Sequence, residues 1–135
     1  MTYAIAAALQ SAIYRRLTAD PALTALIGTA IYDALPAGPV PPLYLLLGGE
    51  EVRDASDQTG QGADHALTIT LHSQDSGFAA AKQAAAAVCD ALLDAALPLT
   101  RGTLVGLHFS KARAARKDGA RRITLTFRAR VADDT

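Results

Sequence analysis

The residues of this chain able to ligate a metal, attack an electrophile or move a proton are three histidines, one cysteine and scattered serines and carboxylates. His65, His72 and His108 stand at no ligand spacing such as His-x-x-x-His. With Cys89 alone and the aspartates dispersed, neighbouring positions supply no tetrahedral zinc set, so neither metal nor cofactor is expected. All three histidines are read at strand edges or on outward strand positions. Cys89 flanks the apolar stripe of a helix with nothing near it in sequence to lower its pKa, which predicts a packed, inert thiol. Ser11, Ser56, Ser73, Ser76 and Ser110 include none in a glycine-flanked strand-turn-helix elbow. Gly60-Gln61-Gly62 begins like a dinucleotide fingerprint, but the third glycine is missing and a strand follows. Glu50-Glu51 point to opposite faces of a strand end, and Asp133-Asp134 sit on a C-terminal tail, 132–135. The chain reads as non-enzymatic.

Charge carries more information. Thirteen basic and thirteen acidic residues cancel, yet the signs are segregated. Between Glu50 and Asp64 lie Glu50, Glu51, Asp54, Asp57 and Asp64 against Arg53 alone. Between Lys111 and Arg130 lie Lys111, Arg113, Arg116, Lys117, Arg121, Arg122, Arg128 and Arg130 against Asp118 alone. Complementary patches on one subunit suit head-to-tail contact between copies, which closes into a ring when the rotation allows. Two solvated hairpin ends are the plainer reading. A third is a small nucleic-acid-binding domain using the basic hairpin 111–122. That hairpin lacks aromatics, so any such contact would go to the backbone and depend strongly on salt.

These residues need elements to hold them. Ile5, Leu9, Ile13 and Leu17 step by four and predict a helix from Ala4 to Leu17, with Arg16 laying its stem beside the stripe. Asp20 as N-cap, Pro21 in the first turn and Gly28 as stop predict a short helix, followed by a short strand at Ile31-Tyr32. After a spacer with Pro36, Pro39, Pro41 and Pro42, the continuous apolar run Leu43 to Leu47 reads as a covered strand. Glu50 to Asp64 is polar and aperiodic, a long mobile loop with 51–64 at its centre. Leu67, Ile69 and Leu71 alternate with Thr68, Thr70 and His72 as a strand with one face on the core. Ser73, Asp75 or Ser76 then caps a second long helix reaching about Ala96, with Phe78, Ala81, Ala85, Val88 and Leu92 on one side and Gln83, Asp90 and Asp94 facing away. Two strands close the chain, Leu104 to Ala112 with Val105, Leu107 and Phe109 on one face, and Arg121 to Val131. Asp118-Gly119 is the turn between them.

The expected fold is α+β, a mostly antiparallel four-stranded sheet with two long helices packed on one face and a short helix after the first. One domain, 1–135, is expected, since half the residues are apolar and a core needs no staples. A lone cysteine, the absence of a leader-like start and apolar runs too short to span a bilayer predict a soluble protein of a reducing cytoplasm, with no membrane partner.

Asp20-Pro21 with Leu23, Leu26 and Gly28, then Ile31-Tyr32, then Pro42-Leu43-Tyr44 leading to Gly48, then the strand-to-helix junction from Ser73 to Phe78 form an ordered set of turn and apolar positions. In that order they resemble the tail-terminator or tail-completion family of long-tailed phages and gene transfer agents, over nearly the whole chain. The resemblance implies a structural protein of the virion or gene-transfer-agent particle, assembled in the bacterial cytoplasm. It would form a ring, typically sixfold, that caps the head-proximal end of the tail tube, ends tube polymerisation and joins the tail to the head-side connector or adaptor. Its partners would be further copies of itself, the tube protein and the connector, with DNA passing through the ring without sequence-specific binding. A head-side completion protein is the neighbouring alternative. By the same resemblance, Arg113, Arg116, Lys117, Arg121 and Arg122 would meet Glu50, Glu51, Asp54 or Asp57 of a neighbour, and the loop from Arg53 to Asp64 would order on contact.

Overall fold

In the computed structural model, which describes residues 3–56, 60–75, 77–93 and 96–133, the four-step stripe builds helix α1, Ala6–Thr18. Ile5, Leu9, Ile13 and Leu17 are all buried, and Arg16 reaches across to donate from Nε to the Ala91 carbonyl at 2.9 Å. Helix α2, Pro21–Ile27, starts as its residues dictate. The Asp20 carboxylate accepts the Leu23 N–H at 2.9 Å, and Gly28 follows at φ 59°.

Helix α3, Ala79–Leu92, is shorter at both ends than the expected span from a cap at Ser73, Asp75 or Ser76 to about Ala96, and Phe78 at its start supplies no side-chain cap. Ser73 does not cap it either. Its buried hydroxyl accepts the Asp75 N–H at 3.1 Å, ending the preceding strand in a local turn. Ser76 and Asp94 lie outside the described residues. Ala81, Ala84, Ala85, Val88 and Leu92 form the buried side of α3, and their small volume lets the helix lie close to the sheet.

The sheet comprises β1 (Ile31–Tyr32), β2 (Leu43–Asp54), β3 (Gly62–Ser73), β4 (Thr103–Lys117) and β5 (Ala120–Ala132), in the order β1-β2-β3-β5-β4. Among the described residues it is therefore a five-stranded mixed sheet, where a mostly antiparallel four-stranded one is expected from the sequence, with the three expected helices. The extra strand is β1, which pairs parallel to β2 with Ile31 beside Leu45, and the Leu45 N–H donates to the Ala30 carbonyl at 2.9 Å. Two residues carry no periodicity of their own. Their membership of the sheet is decided by where the proline-rich connection returns the chain.

The expected loop is also mostly strand. β2 continues to Asp54 and β3 begins at Gly62, with Glu51 opposite Ala66 and Arg53 opposite Asp64. Only 55–61 connect them, and Asp57 to Thr59 lie outside the described residues. A β-bulge interrupts β2 between Leu47 and Glu50. Gly48 occupies it because a Cβ there would stand 2.4 Å from Thr68 Oγ1.

One hydrophobic core lies between the helices and one face of the sheet, holding Leu23, Leu45, Leu67, Ile69, Leu71, Ile123, Leu125, Phe127, Ala129 and Val131. β4 departs from the expected alternation. Leu107 and Phe109 share the core side of the sheet, beside Ala129 and Phe127, but Phe109 stays 52% exposed because β4 is an edge strand at the margin of the core. Val105, 65% exposed, lies in the register shift between Leu104 and Gly106. The β4–β5 turn is the one its residues specify, with Asp118 at φ 52° and Gly119 at φ 80°.

Candidate interaction surface

The other face of the sheet carries no helix, and strand register sorts the basic residues onto it in rows. Lys111 lies beside Thr126, which lies beside Thr68. Arg113 lies beside Thr124 and Thr70. Ala115 lies beside Arg122, His72 and Tyr44. Lys111, Arg113, Lys117, Arg122, Thr124 and Thr126 line a shallow depression of about 570 Å³. None of these four cations pairs with a carboxylate among the described residues.

At the end of the rows the Tyr44 and His72 rings stack, centroids 4.7 Å apart. Burial, then the charges of Arg122 and Lys117, hold the His72 pKa below the ordinary histidine value. Arg121 belongs to the opposite face, beside Arg116 in register, with its guanidinium 5.6 Å from the Phe78 ring centroid. Arg121 is thus set apart from the rest of the basic cluster, whereas Arg116, although beside it in register, lines the depression on the helix-free face.

The acidic residues are also divided. Glu51 and Arg53 are exposed on the helix-free side and pair with each other at 3.2 Å, while Arg130 Nη1 stands 3.7 Å from Asp64 and Nη2 donates to the Ala55 carbonyl at 2.9 Å. Asp54 accepts the hydroxyl and N–H of Ser56, which lower its pKa. Asp57 lies outside the described residues.

Glu50 turns to the helix side. It accepts the Tyr3 hydroxyl, raising the Tyr3 pKa through that hydrogen bond and its charge, and its Oε2 is 3.3 Å from His65 Nδ1. His65 is completely buried, contrary to its expected place at an edge or outward position. It faces inward because β3 alternates without a break from Ala63 to Ser73, and His65 shares the face of Leu67 and Ile69. The structure therefore gathers Glu51, Asp54 and Asp64 with Arg53, Arg128 and Arg130 at one corner, and Lys111, Arg113, Lys117 and Arg122, without carboxylate partners among the described residues, at another, and withdraws Glu50.

The two corners are diagonal. The acidic end of β2 lies opposite Ala63 to Leu67, whereas the basic hairpin aligns with the Thr70 to Ser73 end, beyond β3 on the far side of the sheet. Both flanking edges are open: β4 pairs only with β5, and β2 beyond Leu46 pairs only with β3, among the described residues. The threonine rows and the Tyr44–His72 stack escaped the sequence reading. Outward alternation marked Thr68, Thr70 and His72, but only cross-strand register aligns them with cations.

Among the described residues no three His, Cys, Asp or Glu side chains gather to hold a metal ion, and no helix is long and apolar enough to cross a membrane. Burial, reinforced by Asp90, raises the Cys89 pKa, which keeps the thiol protonated at neutral pH.

A layered α+β protein with one sheet face bare, a mixed-charge corner, a basic corner diagonal to it and both edges open is built to present surfaces. The family model described as tail completion protein gp17 matches residues 11–132, and the chain belongs to that family. It is similar to a chain in the solved structure "Virion of native gene transfer agent (GTA) particle", at 55% identity over 97% of this chain and 99% of that one, with a TM-score of 0.93. Comparison with curated proteins gives no match.

Proposed function

We propose that this protein is a structural component of a virion or gene transfer agent particle, located at the top of the tail. There it forms a ring that caps the tail tube, ends its polymerisation and joins it to the head-side connector, without enzymatic activity. Family membership supports the tail-completion role, and near-complete likeness to a chain of a gene transfer agent virion supports the location. The observation that carries ring formation is the placement of a mixed-charge corner and a basic corner toward opposite open edges of one sheet.

A contact between two different patches of one subunit repeats head to tail, and closes if the rotation divides a full turn. The tip of the β4–β5 hairpin, with Arg116 and Arg121, would meet Glu51 and Asp54 of the next copy. Because the corners are diagonal, neighbours would be staggered along their strands, as tilted strands around a closed ring require. Glu50 takes no part, being engaged by Tyr3 and His65. A ring with one rim matched to the last tube ring and the other matched to the connector ends growth, since it offers no further surface to tube protein.

The test is the solution mass, by light scattering with and without tube protein, of Arg116→Glu/Arg121→Glu and of Glu51→Arg/Asp54→Arg. Each double variant alone should stay monomeric with an unchanged circular dichroism spectrum, and mixing the two should restore assembly. Normal ring formation by either folded variant alone would sink the contact.

A further inference from the structure

We propose that the helix-free face of the sheet is a sequence-independent binding site for the phosphate backbone of duplex DNA, centred on Lys111, Arg113 and Arg122. The inference goes beyond ring formation, because every residue in the site comes from one copy of the chain.

Spacing is the first argument. Lys111, Arg113 and Lys117 project from alternate positions of β4, and residues two apart on a strand are about 7 Å apart, while adjacent strands are about 4.8 Å apart. The cations therefore form a grid about 20 Å long from Lys111 to Lys117. Duplex DNA carries one charge per roughly 1.7 Å of axis, so that length offers several phosphates on the facing side. The depression of about 570 Å³ along these rows leaves the guanidinium and ammonium groups accessible.

Partnering is the second argument. Arg53, Arg101 and Arg130 are each paired with a carboxylate, whereas Lys111, Arg113, Lys117 and Arg122 are not, among the described residues. The lowered pKa of His72, caused in part by Arg122 and Lys117, reports the same uncompensated positive field.

Chemistry between the cations is the third. The groups separating them are Thr70, Thr124 and Thr126, whose hydroxyls join Arg and Lys in phosphate contacts. A protein partner fits this face poorly, because the cores of protein interfaces are depleted of charge and anchored by apolar or aromatic side chains. Here the exposed large apolar residues, Val105 and Phe109 among them, lie off the rows, and Tyr44 is buried in its stack with His72. With no free aromatic in the rows there is no base stacking, so the contact is to the backbone alone.

The experiment is fluorescence anisotropy of the full chain with two labelled duplexes of unrelated sequence across a salt series, with the protein's mass measured under the same conditions. The duplexes should bind alike, with log affinity falling against log salt at a slope of about −3, near −0.9 per phosphate contact. Arg113→Ala/Arg122→Ala should cut that slope by about two, and Lys111→Gln/Arg113→Gln provides a second folded pair with the same expectation. The His72 imidazole, followed by NMR, should titrate at higher pH in the presence of duplex.

Absence of binding at the lowest salt, an unchanged slope in both pairs, or tighter binding of polyglutamate than of duplex at equal charge would each overturn the site. The last outcome would assign the face to an acidic protein partner. Glu51→Arg/Asp54→Arg should still bind DNA as a monomer, so failure of the ring and failure of the site are read separately.

Discussion

At the residue scale, the bulge at Gly48-Gly49 decides which of two adjacent glutamates a partner can meet. The extra residue shifts every later side chain of β2 by one position, so Glu50 turns to the helix side, between the exposed Tyr3 hydroxyl and buried His65, while Glu51 stays in solvent. That Glu50 and Glu51 point oppositely is legible from strand alternation. Which of them points inward depends on a bulge that no local pattern announces.

Two other residues give sharp expectations. Gly102 has φ +73°, and a Cβ there would stand 2.6 Å from the Ala132 carbonyl oxygen and from Ile5 Cδ1. Gly102→Ala should therefore cost about 2 kcal/mol, seen as a lowered midpoint in thermal or urea unfolding. His72 is the second. Its pKa is depressed in the folded protein, so on acidification the unfolded chain takes up that proton first. Its contribution to stability is complete above the unfolded value near 6.5, and is lost as pH falls from there through the lower folded value. Urea titrations at pH 7, 6 and 5 should show His72→Gln with a shallower loss of stability over that window than the parent. Parallel losses would mean that neither burial nor the charges of Arg122 and Lys117 depress the His72 pKa.

At the element scale, the helices were readable because their information is local. Ile5, Leu9, Ile13 and Leu17 name the buried face of α1, Asp20-Pro21 and Gly28 punctuate α2, and the alanines of α3 fix how near that helix lies to the sheet. Ala84 is fully buried on that face. Ala84→Leu should cost about 1–3 kcal/mol by overpacking, with a fall in unfolding midpoint and a largely retained far-ultraviolet spectrum.

Strands were readable where apolar residues mark them: Ile31-Tyr32 as β1, the continuous run Leu43 to Leu47 that opens β2, and the strands with one apolar face. β3 and β5 show that alternation. The distal half of β2 carries Glu50, Glu51, Arg53 and Asp54, so it looks like a polar loop until β3 is placed beside it. β4 hides its register behind two bulges, and β1 is too short to have a period.

At the scale of the whole molecule, the segregation of charge along the chain becomes a segregation across a sheet. If copies join through the mixed-charge corner of one and the basic corner of the next, assembly should weaken as salt rises. The reach of a charge falls from about 10 Å at 0.1 M to about 3 Å at 1 M. Light scattering across that range, with tube protein present, should show rings dissociating or failing to form. Assembly indifferent to salt would place the contact instead on the exposed edge of β4, where Val105 and Phe109 offer apolar surface.

The amino-acid order by itself determined the helices, the apolar strand segments, the Asp118-Gly119 turn, the two charged segments and the family likeness. Each of these depends on residues within a few positions of one another, or on their order along the chain. Only the tertiary structure decided that β1 completes a mixed sheet, that His65 and Glu50 turn to the helix side, and that Arg121 is set apart from the rest of the basic hairpin. It alone aligned Lys111, Arg113 and Arg122 with rows of threonine. Those outcomes depend on strand register, and register is settled by packing between segments distant in sequence.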